Sequence, residues 1–111
     1  MALPEYRAKA DKLIAENPYL MLSKSWCPDC HYVEKIWNDY NVFDKIHIIE
    51  LDKFEDQEEA IKLEAAFTEI SGRKWVPSLF FNGKFFGNEQ DIKNWKSEGK
   101  LDKIFQDEKL I

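Results

Sequence analysis

The order of apolar segments predicts an α/β fold: a four-stranded mixed sheet flanked by helices on both faces. Three observations predict it. Four short apolar runs of strand length, at residues 19–23, 45–51, 78–81 and 84–86, are separated by segments of helical periodicity. A strand, a helix and a strand in succession imply a parallel pair joined by a right-handed crossover. Asn82-Gly83 between the last two runs is the strongest short hairpin signal, which adds antiparallel strands and makes the sheet mixed.

The first helix runs from Pro4 to about Glu16, with Tyr6, Ala10, Leu13 and Ile14 at helical spacing and Pro4 suited to the first turn. Asn17-Pro18 ends it, and the strand Tyr19 to Ser23 leads directly into Trp26-Cys27-Pro28-Asp29-Cys30. A second helix is expected from about Pro28 to Tyr40, carrying Val33, Ile36, Trp37 and Tyr40 on one face. Residues 45–51, with Ile46, Ile48, Ile49 and Leu51, form the second strand. Asp56 and Glu59 have capping-box spacing, opening a helix that buries Ala60, Leu63, Phe67 and Ile70. Ser71-Gly72 stops it. Beyond the hairpin, Asn88 caps a helix through Ile92 and Trp95, Gly99 interrupts, and Leu101, Ile104 and Phe105 lie on a last helix.

Residues 1–111 read as a single domain. At 44% hydrophobic and 14% aromatic residues, the chain has enough apolar material for one core, which excludes a disordered chain. The formal charge of -5 argues against nucleic acid and anionic membrane as partners. The N-terminus shows no secretory pattern and there is no long apolar run, so the expectation is a soluble, cytoplasmic monomer.

The two cysteines lie in one Cys-x-x-Cys. A bridge across two residues closes too short a loop to restrain the unfolded chain, so its use is chemical. Position matters more than presence: Cys27 falls where a strand ends and a helix begins. Unpaired backbone N–H groups and the positive helix end stabilise a thiolate there. Lys24 adds a cation; Asp29, between the thiols, opposes a second negative charge. Pro28 suits the first helical position, and Cys30, one turn on, can reach back to Cys27. Cys27 is therefore the candidate nucleophile and Cys30 the resolving thiol. Val76-Pro77, before a strand, is a candidate cis bond that would leave the Val76 backbone free to pair with an extended ligand.

Taken together these residues resemble the glutaredoxin family. Ser23-Lys24-Ser25-Trp26-Cys27-Pro28-Asp29-Cys30 resembles its Ser-Lys-x-Tyr-Cys-Pro-Tyr-Cys, and Arg73-Lys74-Trp75-Val76-Pro77 its Thr-Val-Pro segment. Asn82-Gly83-Lys84-Phe85-Phe86-Gly87-Asn88 resembles its Asn-Gly-x-x-Ile-Gly-Gly, and Glu98-Gly99-Lys100-Leu101 the link between its last two helices. The pattern looks most like a divergent fungal dithiol member. The resemblance implies a thioredoxin-like fold, dithiol redox chemistry on small, mixed or protein disulfides, and glutathione as cosubstrate, with no metal. It implies that Lys24 pairs with the glycine carboxylate of glutathione, with Arg73 near a further carboxylate contact. Val76, beside Pro77, would hydrogen-bond the cysteinyl part through its backbone, and Glu89 and Gln90 lie in the segment that receives the γ-glutamyl group.

Departures from the family pattern imply weaker glutathione binding and low turnover. Trp26 and Asp29 replace tyrosines, Trp75 replaces threonine, Asn88 replaces a glycine, and Glu89 brings negative charge towards a ligand carboxylate. Trp26 and Trp75 flank the site, either as substrate contacts or as packing; Trp37, Phe67 and Trp95 read as core. The Trp-Cys-Pro-Asp-Cys motif also resembles a small thioredoxin-related protein, which keeps open a protein-disulfide reductase recharged by thioredoxin reductase. Other readings are a zinc half-site, for which only His31 and His47 remain as further ligands of that type, a bridging iron–sulfur cluster, and a weakly catalytic interaction module. His31 reads as a polar helix residue rather than a catalytic one.

Overall fold

A computed structural model describes residues 3–73 and 76–111. Five helices, α1 (Pro4–Glu16), α2 (Pro28–Asp39), α3 (Gln57–Ser71), α4 (Glu89–Ser97) and α5 (Leu101–Asp107), surround strands β1 (Tyr19–Ser23), β2 (His47–Glu50), β3 (Ser78–Phe81) and β4 (Lys84–Asn88). The strand order is β2-β1-β3-β4. β1 runs parallel to β2 and antiparallel to β3, and β3 pairs antiparallel with β4.

Strand alternation divides the core between the two faces. On one face Met21 of β1 and Leu79 and Phe81 of β3 pack with Val33, Ile36 and Trp37 of α2, Ile92 of α4 and Phe105 of α5. On the other, Leu20, Leu22 and Phe80 meet Ala10 and Ile14 of α1 and Leu63, Ala66 and Phe67 of α3. Trp37 is fully buried and its indole N–H donates to Met21 Sδ at 3.3 Å. Burying a ring of that size anchors α2, and with it the start of that helix, to the sheet.

The second strand is shorter than the expected 45–51. Tight helical turns over Phe43–Lys45 and Leu51–Lys53 take its two ends. The second turn has a clear cause: the Ser25 backbone N–H and hydroxyl both donate to the Asp52 carboxylate, at 2.8 and 2.5 Å, which draws this segment out of the sheet toward the β1–α2 loop. The punctuation follows local chemistry. Asp56 caps α3 by accepting from the Glu58 and Glu59 N–H groups, and Gly72 ends it at φ 77, a left-handed conformation that favours glycine. Asn82 and Gly83 turn the hairpin at φ 53 and 86.

Candidate active site

The β1–α2 junction delivers the nucleophile. Cys27 is the N-cap of α2, and its Sγ accepts the Cys30 backbone N–H at 3.3 Å. This is one of the N–H groups that a helix start leaves unpaired, donated to sulfur in the arrangement that holds a thiolate. Both cysteines are buried, Cys27 with 6% of its surface exposed and Cys30 with none, so Cys27 is the more accessible of the two. Both are free. Burial, the largest influence, pushes the Cys30 thiol up to about 12. The Ser23 hydroxyl works against this. It is buried without a well-aligned hydrogen-bond partner, yet lies near enough to Cys30 to favour its thiolate.

The Val76–Pro77 peptide bond is cis, and the Val76 carbonyl lies 3.9 Å from Cys27 Sγ. The backbone of Val76 thus stands beside the reacting sulfur. Pro77 continues into β3, whose first residue, Ser78, pairs with Leu22 of β1 and Asn88 of β4, so the sheet itself sets this placement.

Two depressions carry the other residues. A cleft of about 130 Å³ is lined by Asp29, Arg73, Val76, Pro77, Asn88 and Glu89. A groove of about 180 Å³ is lined by Lys24, Trp26, Asp52, Gln57, Ile61 and Glu64 together with Leu51 and Ala60. Trp26 is 65% exposed, which excludes simple packing; Lys24 Nζ lies 5.9 Å from its ring centroid. Lys24 also pairs with Glu64 at 3.5 Å. Gln90 joins neither depression: its side-chain amide donates to Asn94 along α4, at 3.0 Å. Glu89 lines the cleft and pairs with Lys93 at 3.3 Å. Trp75 lies outside the described residues.

Asn88, which stands where the resemblance to the family places a glycine, lines the cleft and has its side chain engaged in a capping box. Asn88 Oδ1 accepts the Asp91 N–H at 3.1 Å, and Asp91 Oδ2 accepts the Asn88 N–H at 3.0 Å. Gly87 is needed for this box, since a Cβ there would meet Asp91 Oδ2 at 2.8 Å. His31 braces the loop by donating from Nε2 to the Ser25 carbonyl at 2.5 Å. The residues that sequence reasoning missed are Ser23, Ser25, Asp52 and Glu64. Glu64 left one trace: it stands four residues after the buried Ala60 and three before Phe67, at the edge of the helix stripe that faces the sheet.

A four-stranded mixed sheet that sets a Cys-x-x-Cys at a helix start, against the residue before a cis-proline, defines a thiol–disulfide oxidoreductase of thioredoxin-like fold. Residues 20–86 match the family model described as Glutaredoxin. Glutaredoxin-8 of Saccharomyces cerevisiae is 37% identical over 94 residues, covering 85% of each chain. Glutaredoxin-1 of the same yeast is 31% identical over 96 residues, covering 85% of this chain and 84% of that one. Among solved structures, yeast dithiol glutaredoxin Grx8 superposes with a TM-score of 0.86 at 33% identity, covering 98% of this chain and 99% of that chain. A buckwheat glutaredoxin–glutathione complex gives 0.79 at 26% identity, covering 96% and 93%. The chain belongs to the glutaredoxin family.

Proposed function

We propose that this protein is a glutathione-dependent dithiol oxidoreductase of low turnover, acting as a cytoplasmic monomer on small, mixed or protein disulfides. The observation that carries the reading is the Cys27 sulfur at the start of α2, receiving the Cys30 N–H and facing the Val76 carbonyl. The solved complex of a related glutaredoxin with glutathione supports the choice of cosubstrate.

Cys27 thiolate attacks one sulfur of a disulfide; the old S–S bond breaks, and the departing thiolate takes a proton from solvent. The Cys27 mixed disulfide then has two exits. Glutathione thiolate attacks the sulfur bound to Cys27, releasing Cys27 and forming a new disulfide with glutathione. Alternatively Cys30 attacks Cys27, releases the bound thiol and leaves a Cys27–Cys30 disulfide, which two glutathione molecules reduce. Asp29 and Glu89, the latter paired with Lys93, bring two carboxylates to the cleft against the single guanidinium of Arg73 among the described residues lining it. They disfavour an anionic tripeptide there, which is the basis for slow turnover.

The test supplies oxidised protein with glutathione and glutathione reductase, or with thioredoxin and its reductase, and follows NADPH. Recharge by the glutathione system is expected; recharge by the thioredoxin system alone would overturn the proposal. Cys27→Ser should abolish exchange by either route. Cys30→Ser should retain deglutathionylation and lose the internal disulfide, and loss of both would refute the assignment of roles.

A further inference from the structure

The groove beside the nucleophile contains a charge arrangement that the exchange chemistry does not use. Among the described residues lining it, Lys24 is the one cation. It stands directly before the reactive loop, its carbonyl accepting the Cys27 N–H at 3.0 Å. The groove is also lined by Trp26, the residue before Cys27, so it adjoins the place where a substrate bound at Cys27 would extend. Yet Glu64, from α3, already holds the Lys24 ammonium at 3.5 Å, with the two side chains only 27% and 17% exposed. The groove's other polar groups are committed. Asp52 is held by Ser25, and the Gln57 amide donates to the carbonyls of Leu51, Asp52 and Phe54. Trp26 and Ile61, 65% and 66% exposed, form apolar walls.

We propose that Glu64 is the specificity-determining residue of this groove, neutralising Lys24 so that the site disfavours disulfides bearing a carboxylate and favours uncharged or amine-bearing ones. The inference rests on the dithiol glutathione chemistry proposed above. A ligand carboxylate approaching Lys24 Nζ must come close to Glu64 Oε2, and with both groups partly withdrawn from water their repulsion is poorly screened. Glutamate can only accept hydrogen bonds, so it gives the arriving carboxylate nothing in return. Glutamine at this position is nearly isosteric, carries no charge and can donate. An aminoethyl group carries no carboxylate to be repelled: Glu64 offsets the repulsion between Lys24 and the incoming ammonium, and the aromatic and aliphatic walls cover its carbons.

Two mixed disulfides of one leaving thiol test this, one carrying glutathione and one carrying cysteamine, which has an amine and no carboxylate. Single-turnover attack by reduced protein is followed by stopped flow for the native chain, Glu64→Gln, Lys24→Gln and the double variant. Glu64→Gln is expected to speed attack on the glutathione substrate about tenfold, equivalent to ~1.4 kcal/mol, and to leave attack on the cysteamine substrate unchanged or slower. The gain should vanish in the Lys24→Gln background, because no cation remains to be released. Misfolding would slow both substrates together, so their ratio separates specificity from damage. An unchanged ratio, or the same gain without Lys24, overturns the role of Glu64 while leaving the dithiol chemistry intact. Failure of native protein and Glu64→Gln alike to attack the glutathione substrate overturns the functional proposal and this inference with it.

Discussion

Cys30 carries the sharpest quantitative expectation. Burial pushes its thiol up to about 12, against about 8.5 for a free cysteine. At pH 7 its thiolate fraction is then ~10⁻⁵, while an ordinary thiol is ~3% ionised. A more basic thiolate is a better nucleophile, with a Brønsted slope of about 0.4–0.5, which recovers roughly one and a half of those three and a half decades. The remaining deficit of about two decades must be met by proximity, since Cys30 is held one helical turn from its target. Closure of the internal disulfide should therefore accelerate about tenfold per pH unit from roughly pH 7 to 10 as ionisation becomes easier. Once Cys27 is in a mixed disulfide, its own opposition to a Cys30 thiolate is relieved, but burial, the largest influence, remains. Ser23→Ala should slow closure severalfold by removing the hydroxyl that favours the thiolate, without shortening the pH ramp. The assay is stopped-flow fluorescence of preformed Cys27 mixed disulfide, with Trp26 as the neighbouring reporter and Cys30→Ser as the blank. A rate that is flat with pH, or saturates near pH 8, would refute the assignment of a buried, protonated resolving thiol.

The same raised thiol makes stability fall at alkaline pH. Below about pH 8 both folded and unfolded chains hold the proton, whereas above it the unfolded chain sheds it first, and the loss continues towards about 12; urea midpoints of native protein and Cys30→Ala should converge along this limb. Asp52 has the opposite sign. The Ser25 hydroxyl and then its N–H hold this carboxyl below the usual range, so its contribution is present above about pH 4 and is lost as pH falls through the lowered value. Asp52→Asn should remove that part of the acid limb and slow attack by Cys27, read from urea midpoints at acid pH and from single-turnover rates. Gly87→Ala should cost about 1–2 kcal/mol by forcing Asp91 out of the capping box, measured by urea unfolding; an unchanged midpoint would show that the box contributes nothing.

Much of this was legible in the chain because the chemistry involved is local. Asn82-Gly83 needs no tertiary partner to turn a hairpin, Asn88 and Asp91 are three residues apart, and Cys27-Pro28 marks a helix start through proline's fixed φ. The alternation of Leu20, Met21 and Leu22 likewise distributes the core to two faces before any contact is known. The limits of β2 were not local, since the turn after it is drawn by Ser25, 27 residues away. Nor was the state of Lys24. Its proximity to Cys27 is written in the sequence, but Glu64 reaches it only because α3 packs on the face of the sheet that carries Leu20, Leu22 and Phe80. A charge acts through distance in space, and the local pattern records only distance along the chain. The sequence alone marked Cys27 and Cys30 as the candidate thiol pair and determined the element order. Folding decided how deeply Cys30 is buried and that the Lys24 ammonium is already paired, because each depends on what a distant segment places in the same few ångströms.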